Sequence, residues 1–221
     1  MITHPARLFL VDLDHTLVER DGGPDAWVPG FCAAHGLPAE AAPIVFTLSR
    51  AERSPAGFAR IAARYGLPHS GHTLWEEHVA QEAARTHLIP GVPAALAALR
   101  EAGWAIAVVT NGSTDIQRAK LARTGLLPAV DAVCVSEEAG ARKPDPEIFR
   151  LAAARLGRTL TPDTWMVGNN PATDIRGAHA AGVSSIWITP APPAPLPPSH
   201  PTPTRTAPDT PAAAALLLAN P

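Results

Sequence analysis

Residues 9–20 read "FLVDLDHTLVER". Phe9, Leu10 and Val11 close an apolar run, the signature of a strand buried on both faces. The run stops on Asp12, and Asp14 and Thr16 follow at spacings of two. A buried strand has no use for carboxylates, and a solvated loop has no use for the apolar residues just before them. Two carboxylates held against an apolar run repel each other without a cation. On an extended segment, residues two apart point to the same side, so both acids can face one reacting centre.

The same punctuation recurs along the chain. "RLFLVDL", "AIAVVT" (105–110), "AVCVS" (132–136), "TWMVG" (164–168) and "SSIWIT" (184–189) read as buried strands. Between them, "PAALAALREAG", "TDIQRAKLARTG", "PEIFRLAAARLG" and "DIRGAHAAG" carry helical patterns, several stopping on glycine. Strands alternating with helices predict an α/β fold, a Rossmann-like parallel sheet flanked by helices. Residues 18–88 break the rhythm. They hold helix-compatible runs such as "APIVFTLSRAERSPAGFARIAARYG" and no convincing buried strand, which predicts a small all-helical module inserted after the first strand. The expected division is 1–17 with 89–189 as the core, 18–88 as the insert, and 190–221 as a proline-rich tail. That tail holds 11 of the 25 prolines, so 190 to about 210 is expected to be extended or mobile. "PAAAALLLAN" can form a short terminal helix that packs back on the core.

Composition narrows the function. A chain of 221 residues, 46% hydrophobic and 17% charged, has the makings of a folded domain with a sizeable core. A net charge of −2 with mixed signs offers no basic field for nucleic acid and no cluster for a membrane surface. No apolar run approaches the roughly 20 residues that cross a bilayer. Cys32 and Cys134 lack metal-ligand spacing, and the start lacks a signal-peptide pattern, so a soluble cytoplasmic protein, monomer or homodimer, is expected.

In parallel sheets, ligands bind beyond the carboxyl ends of the strands. The polar residues that end each run should therefore converge: Asp12 and Asp14, then Thr110-Asn111-Gly112, then "GNNPATD". Lys143, in "GARKPDPEIF", precedes a helix expected near Pro146. Carboxylates, a hydroxyl, an amide and an ammonium suit a Mg²⁺ ion and a phosphoryl group.

In this order, "DLDHTL", "VVTNG", "KPDPEIF" and "VGNNPATDI" resemble the four motifs of the haloacid dehalogenase (HAD) superfamily. The resemblance covers roughly residues 7–189 and leaves most of the insert with only a cap-like character. It implies a Mg²⁺-dependent phosphatase acting on a small phosphorylated metabolite. Asp12 would be the nucleophile that becomes an aspartyl phosphate. Asp14 would be the acid and base. Thr110 and Asn111 would hold phosphoryl oxygens, and Lys143 would neutralise charge and restrain Asp12. Asp12, Asp14 through its carbonyl, Asp174 and Asn169 would surround the metal. Thr16 and Glu19 resemble the family's flap. The family usually has Gly-Asp where this chain has Gly168-Asn169, a substitution that removes one negative charge.

Two alternatives stay open: a catalytically weak phosphate-binding or scaffolding protein, motivated by Asn169 and the tail, and a 2-haloacid dehalogenase. Dehalogenase members usually lack the second Asp, which Asp14 supplies here. Residues 18–88 contain no lysine, which argues against phosphonate cleavage through an imine. Arg50, Arg53, Arg60 and Arg64 could meet an anionic substrate or form a solvated helix face. Gln117 and Lys120 match a Gln-x-x-Lys pattern of nucleoside-monophosphate and acylneuraminate-phosphate phosphatases, a lean towards nucleotides or sugar phosphates.

Overall fold

All four residues of the strand β1 (Leu8–Val11) are buried, as a strand covered on both faces requires. The computed structural model describes residues 7–189, 195–196 and 198–219. After β1 come β2 (Val18–Arg20), α1 (Val28–Ala34), α2 (Ala42–Ala51), α3 (Pro55–Tyr65), α4 (Gly71–Ala84) and β3 (Thr86–Leu88). The chain continues through α5 (Val92–Glu101), β4 (Ala105–Thr110), α6 (Thr114–Arg123), β5 (Ala132–Val135) and the single turn α7 (Ser136–Ala139). It ends with α8 (Pro146–Ala154), β6 (Thr164–Gly168), α9 (Arg176–Ala181), β7 (Ser184–Ile188), β8 (Arg205–Ala207) and α10 (Thr210–Leu218).

The main sheet has the order β5-β4-β1-β6-β7-β8, and its described pairings are all parallel. β1 lies between β4 and β6, with Val11 level with Val108 on one side and Val167 on the other. Alternation along β1 divides the core. Phe9 and Val11 join α5, Ile106, Val108 and α10 on one face. Leu8 and Leu10 join Ala107, Phe149, Met166 and Ala178 on the other. The period of two thus builds both apolar layers from one strand.

The insert has its own core of Trp27, Phe31, Val45, Phe58, Ile61 and Trp75, which also takes in Ile116 of α6. The indole Nε1 of Trp75 donates to Asp115 Oδ2 at 2.7 Å, a second tie between the insert and α6. Serines cap two insert helices, Ser54 accepting from the Gly57 amide and Ser70 from that of Thr73. Against expectation, 18–88 is not all helical: β2 and β3 pair antiparallel, with Val18 opposite Leu88. Three residues each are too short for an apolar period to show, and their partner lies some seventy residues away in sequence.

The tail also departs from expectation. β8 adds a sixth strand beside β7, pairing Trp187 with Thr206, and α10 packs on the α5 side of the sheet. Thr210 Oγ1 donates to the buried Thr16 carbonyl at 2.6 Å, which ties the tail to the loop after β1. Proline is tolerated here because β8 is an edge strand with no proline inside it, while Pro211 sits in the first turn of α10. The terminal helix thus forms as the sequence suggested. The rest of the stretch expected to be extended lies in part, at 190–194 and 197, outside the described residues. Among the described residues, no helix is long and apolar enough to cross a membrane.

Candidate active site

Three strand ends meet over the sheet: Asp12 after β1, Thr110 closing β4, and Gly168 closing β6. The Asp12 amide still donates to Val167 O at 2.9 Å, so sheet geometry fixes where its side chain begins. Lys143 enters between β5 and α8, and its Nζ lies 2.6 Å from Asp12 Oδ1 and 2.7 Å from Asp174 Oδ1. Lys143 and Asp174 are almost wholly enclosed, and Asp12 is 8% exposed. One ammonium thus serves two buried carboxylates. Asp12 and Asp174 raise the Lys143 pKa against the pull of burial, keeping it charged. For Asp12, burial outweighs the Lys143 attraction, and repulsion from Asp174 and Asp14 adds to it. Its pKa is pushed up to about 7.

Asn111 holds the Lys143 loop. Its Nδ2 donates to Lys143 O and its Oδ1 accepts from Lys143 N, both at 2.9 Å. Asn111 thereby positions Lys143, while the second N–H of its amide is not used by these two bonds. Asp174 is fixed from several sides. The Asn170 amide donates to its Oδ2 at 2.9 Å and Thr173 Oγ1 to its Oδ1 at 3.3 Å. A Cβ on Gly168 would fall 2.3 Å from Asp174 Oδ2, so only glycine fits that strand end. A π-type turn over Pro171–Ile175, unforeseen in the sequence, delivers Asp174 inward.

Asp14 faces another pair. Lys120 Nζ donates to its Oδ1 at 2.6 Å and Gln117 Nε2 to its Oδ2 at 3.0 Å. Burial opposes ionisation here, yet Lys120, these hydrogen bonds and the charge of Arg20 hold the carboxyl below the usual range. Gln117 Nε2 also donates to Thr110 Oγ1 at 2.6 Å, leaving the threonine O–H free to donate elsewhere. Gln117 and Lys120 are buried, not exposed. Their spacing of three puts both on one face of α6. The motif carried that signal, but only packing shows where the face points.

Asn169 follows Gly168 at the end of β6. Its carbonyl accepts from Trp187 Nε1 at 3.0 Å, and the residue lines a groove with His15, Thr16, Glu19 and Thr189. Among the described residues, no three His, Cys, Asp or Glu side chains form a group able to hold a metal. The donors that could receive a hard cation are the Asp12 carboxylate, the Asp14 carbonyl, Asp174 and Asn169. Their chemistry fits, since Asp12 is destabilised by neighbouring carboxylates whose repulsion a divalent ion relieves.

Between insert and core lies a cavity of about 70 Å³ that includes Asp14, Asn111, Gln117 and Lys120. From the insert side, Arg20, Arg50, Arg53, His78 and Glu82 reach it. Of the four arginines noted in the sequence, Arg50 and Arg53 line this cavity. Arg60 instead pairs with Glu52 at 2.7 Å, and Arg64 lies over the Tyr65 ring. Arg20, His78 and Glu82 carry no sequence signal that singles them out.

A family model described as haloacid dehalogenase-like hydrolase matches residues 6–182. The chain belongs to this family. Its relatives include a phosphoserine phosphatase of Thermus thermophilus, 41% identical over 56% of this chain and 49% of that protein. The chain thus spans about half the length of that relative. The pyrimidine 5'-nucleotidase PynA of Streptococcus pneumoniae is 26% identical over 83% of this chain and 84% of its own. Among solved HAD structures, a 2-haloacid dehalogenase from Pseudomonas syringae superposes with a TM-score of 0.71 at 24% identity, covering 96% and 98% of the two chains. At that identity the likeness shows a shared fold alone. HAD folds therefore carry both chemistries, and the site must decide between them.

Proposed function

We propose that this chain is a Mg²⁺-dependent phosphatase that hydrolyses a small phosphorylated metabolite through an aspartyl-phosphate intermediate. The observation that carries the reading is Asp14. It faces the cavity two residues after Asp12, where a leaving-group oxygen needs a proton donor and a dehalogenation does not.

Lys143 holds Asp12 Oδ1, and Asp12 Oδ2 accepts no hydrogen bond from the described residues. Oδ2 is thus the oxygen placed to attack phosphorus as the substrate's P–O bond breaks. The Thr110 O–H, released by Gln117, donates to a phosphoryl oxygen, and Lys143 balances charge beside it. Asp14 gives its proton to the departing alkoxide, then takes one from the water that cleaves the acyl phosphate. With Lys120 and Gln117 engaged, Asp14 is an acceptor. Substrate entry must loosen the Lys120 pairing before Asp14 can carry a proton. Asp12, the Asp14 carbonyl and Asp174 would hold Mg²⁺, which would supply charge stabilisation at the phosphoryl group. The helices between β2 and β3 act as a cap over this chemistry. Two buried, unbridged cysteines, Cys32 and Cys134, suit a reducing cytoplasm.

The test is phosphate release from p-nitrophenyl phosphate with Mg²⁺ or with chelator, in the parent and in Asp12→Asn. Metal-dependent release that Asp12→Asn abolishes supports the reading. Turnover that survives the substitution refutes the nucleophile. Metal-independent chloride release from 2-haloacids would instead establish a dehalogenase.

A further inference from the structure

Asp14 stands in a tight turn between β1 and β2. The Leu13 carbonyl accepts from the Leu17 and Val18 amides at 2.9 and 3.1 Å, and the His15 amide donates to Val18 O at 2.7 Å. His15, next to Asp14, adopts φ +59°, a left-handed conformation that a non-glycine residue keeps only where its surroundings enforce it. These bonds wind the turn without using the Thr16 and Leu17 carbonyls. Both residues are fully buried, so each carbonyl needs a donor from elsewhere.

Both donors come from distant parts of the chain. The Ile89 amide, where the chain leaves the insert, donates to Leu17 O at 3.1 Å. Thr210 Oγ1, in the first turn of α10, donates to Thr16 O at 2.6 Å across 194 residues. Thr210 is itself fully buried.

The hydroxyl is firmly placed. Asp209 Oδ1 caps α10 by accepting from the Ala212 amide at 2.8 Å. Ala213, Ala214 and Leu217 seat that helix in the core on the α5 side of the sheet. The Thr189 amide donates to Ala207 O at 3.0 Å, which fixes where β8 hands over to α10. Packing alone would be served by valine, which has the same shape, whereas a buried hydroxyl is costly unless it is bonded.

We infer that Thr210 is a positioning residue for Asp14: the tail sets the backbone of the turn from which the acid–base carboxyl projects. Lys120 and Gln117 hold the carboxylate from α6. Thr210 holds the main chain two residues later, and touches no reacting atom. The inference rests on the phosphatase reading for what Asp14 does, and on the hydrogen bond for where it is held. A general acid works only within hydrogen-bond reach of the oxygen it protonates, and a misplacement of about 1 Å costs on the order of a hundredfold.

The test compares two esters in the full chain with Mg²⁺. p-Nitrophenyl phosphate releases a stabilised phenolate that needs little proton donation, whereas benzyl phosphate releases an alkoxide that needs it. In Thr210→Val, kcat/KM for benzyl phosphate should fall about tenfold further than for p-nitrophenyl phosphate. Thr210→Ser keeps the donor and should hold the ratio within about twofold of the parent. Thr206→Val, the same exchange at an exposed position of β8, should do likewise. Equal losses on both esters, or a parental ratio in Thr210→Val, overturn the proposal. Hydrogen exchange gives a second readout: amides of residues 13–18 should exchange about tenfold faster in Thr210→Val, with those of β1 and β4 unchanged. Should Thr210→Val not fold, Thr210→Ala is read in the same way. A parent that hydrolyses neither ester refutes the phosphatase reading. Faster exchange confined to 13–18 would then leave the anchor standing, and unchanged exchange would remove it.

Discussion

Replacing Asp12 with Asn should abolish activity and yet stabilise the metal-free protein, increasingly so as pH rises. Asp12 and Asp174 share the single Lys143 ammonium, and the folded chain pushes the Asp12 pKa from 3.8 to about 7. The folded state therefore holds a proton that the unfolded state gives up. Stability falls as pH climbs from about 4 to about 7, and the whole cost is present at pH 8. At 1.36 kcal/mol per pH unit, the ceiling is about 4 kcal/mol at pH 8 and about 2 kcal/mol at pH 5. Relaxation of the pair and entry of water reduce both, to an expected difference between the two pH values of about 1 kcal/mol. For a chain of this size, that is about 2–4 °C in Tm. The amide that replaces the Asp12 carboxylate carries no charge and still leaves Lys143 its contact with Asp174. Thermal unfolding of parent and Asp12→Asn in chelator at pH 5 and pH 8 reads the effect. A Tm gain no larger at pH 8 than at pH 5, or a loss at pH 8, would refute the shared-ammonium account.

Three further outcomes are expected. Lys120→Met leaves the burial of Asp14 unopposed by its nearest cation, so the pH–rate limb that Asp14 governs should move up, and Lys120→Arg should return it. An unmoved limb would show that another group titrates. Asn169→Asp adds a charge beside the proposed metal site and should lower the Mg²⁺ concentration for half-activation by about tenfold; unchanged activation would show that Asn169 is not a ligand. Ending the chain at Thr189 removes β8 and α10, and with them the burial of Ala213, Ala214 and Leu217. Urea unfolding should then show a loss of about 3 kcal/mol or more, whereas parental stability would make residues 190–221 a linker.

The family and the sheet could be read from the chain because both rest on local patterns. Apolar runs closed by Asp12, Thr110 and Gly168 announce strands and their functional ends, and period-two alternation within Leu8–Val11 already contains the two faces of the core. Lys143 and Asp174 could be named from motifs, since a motif is a local spacing.

What the chain alone left undecided depends on groups far apart in sequence. Nothing in "TNG" says that the Asn111 amide bonds the Lys143 main chain, 32 residues on. Nothing in "QRAK" says that Lys120 will neutralise Asp14 across 106 residues. β2 and β3 are legible only as a pair, and β8 only once β7 presents an open edge. Local spacing determines which residues can form strands, helices and acid-bearing ends. Coulomb and hydrogen-bond partners are chosen by distance in space, and that is set only when insert, core and tail pack together.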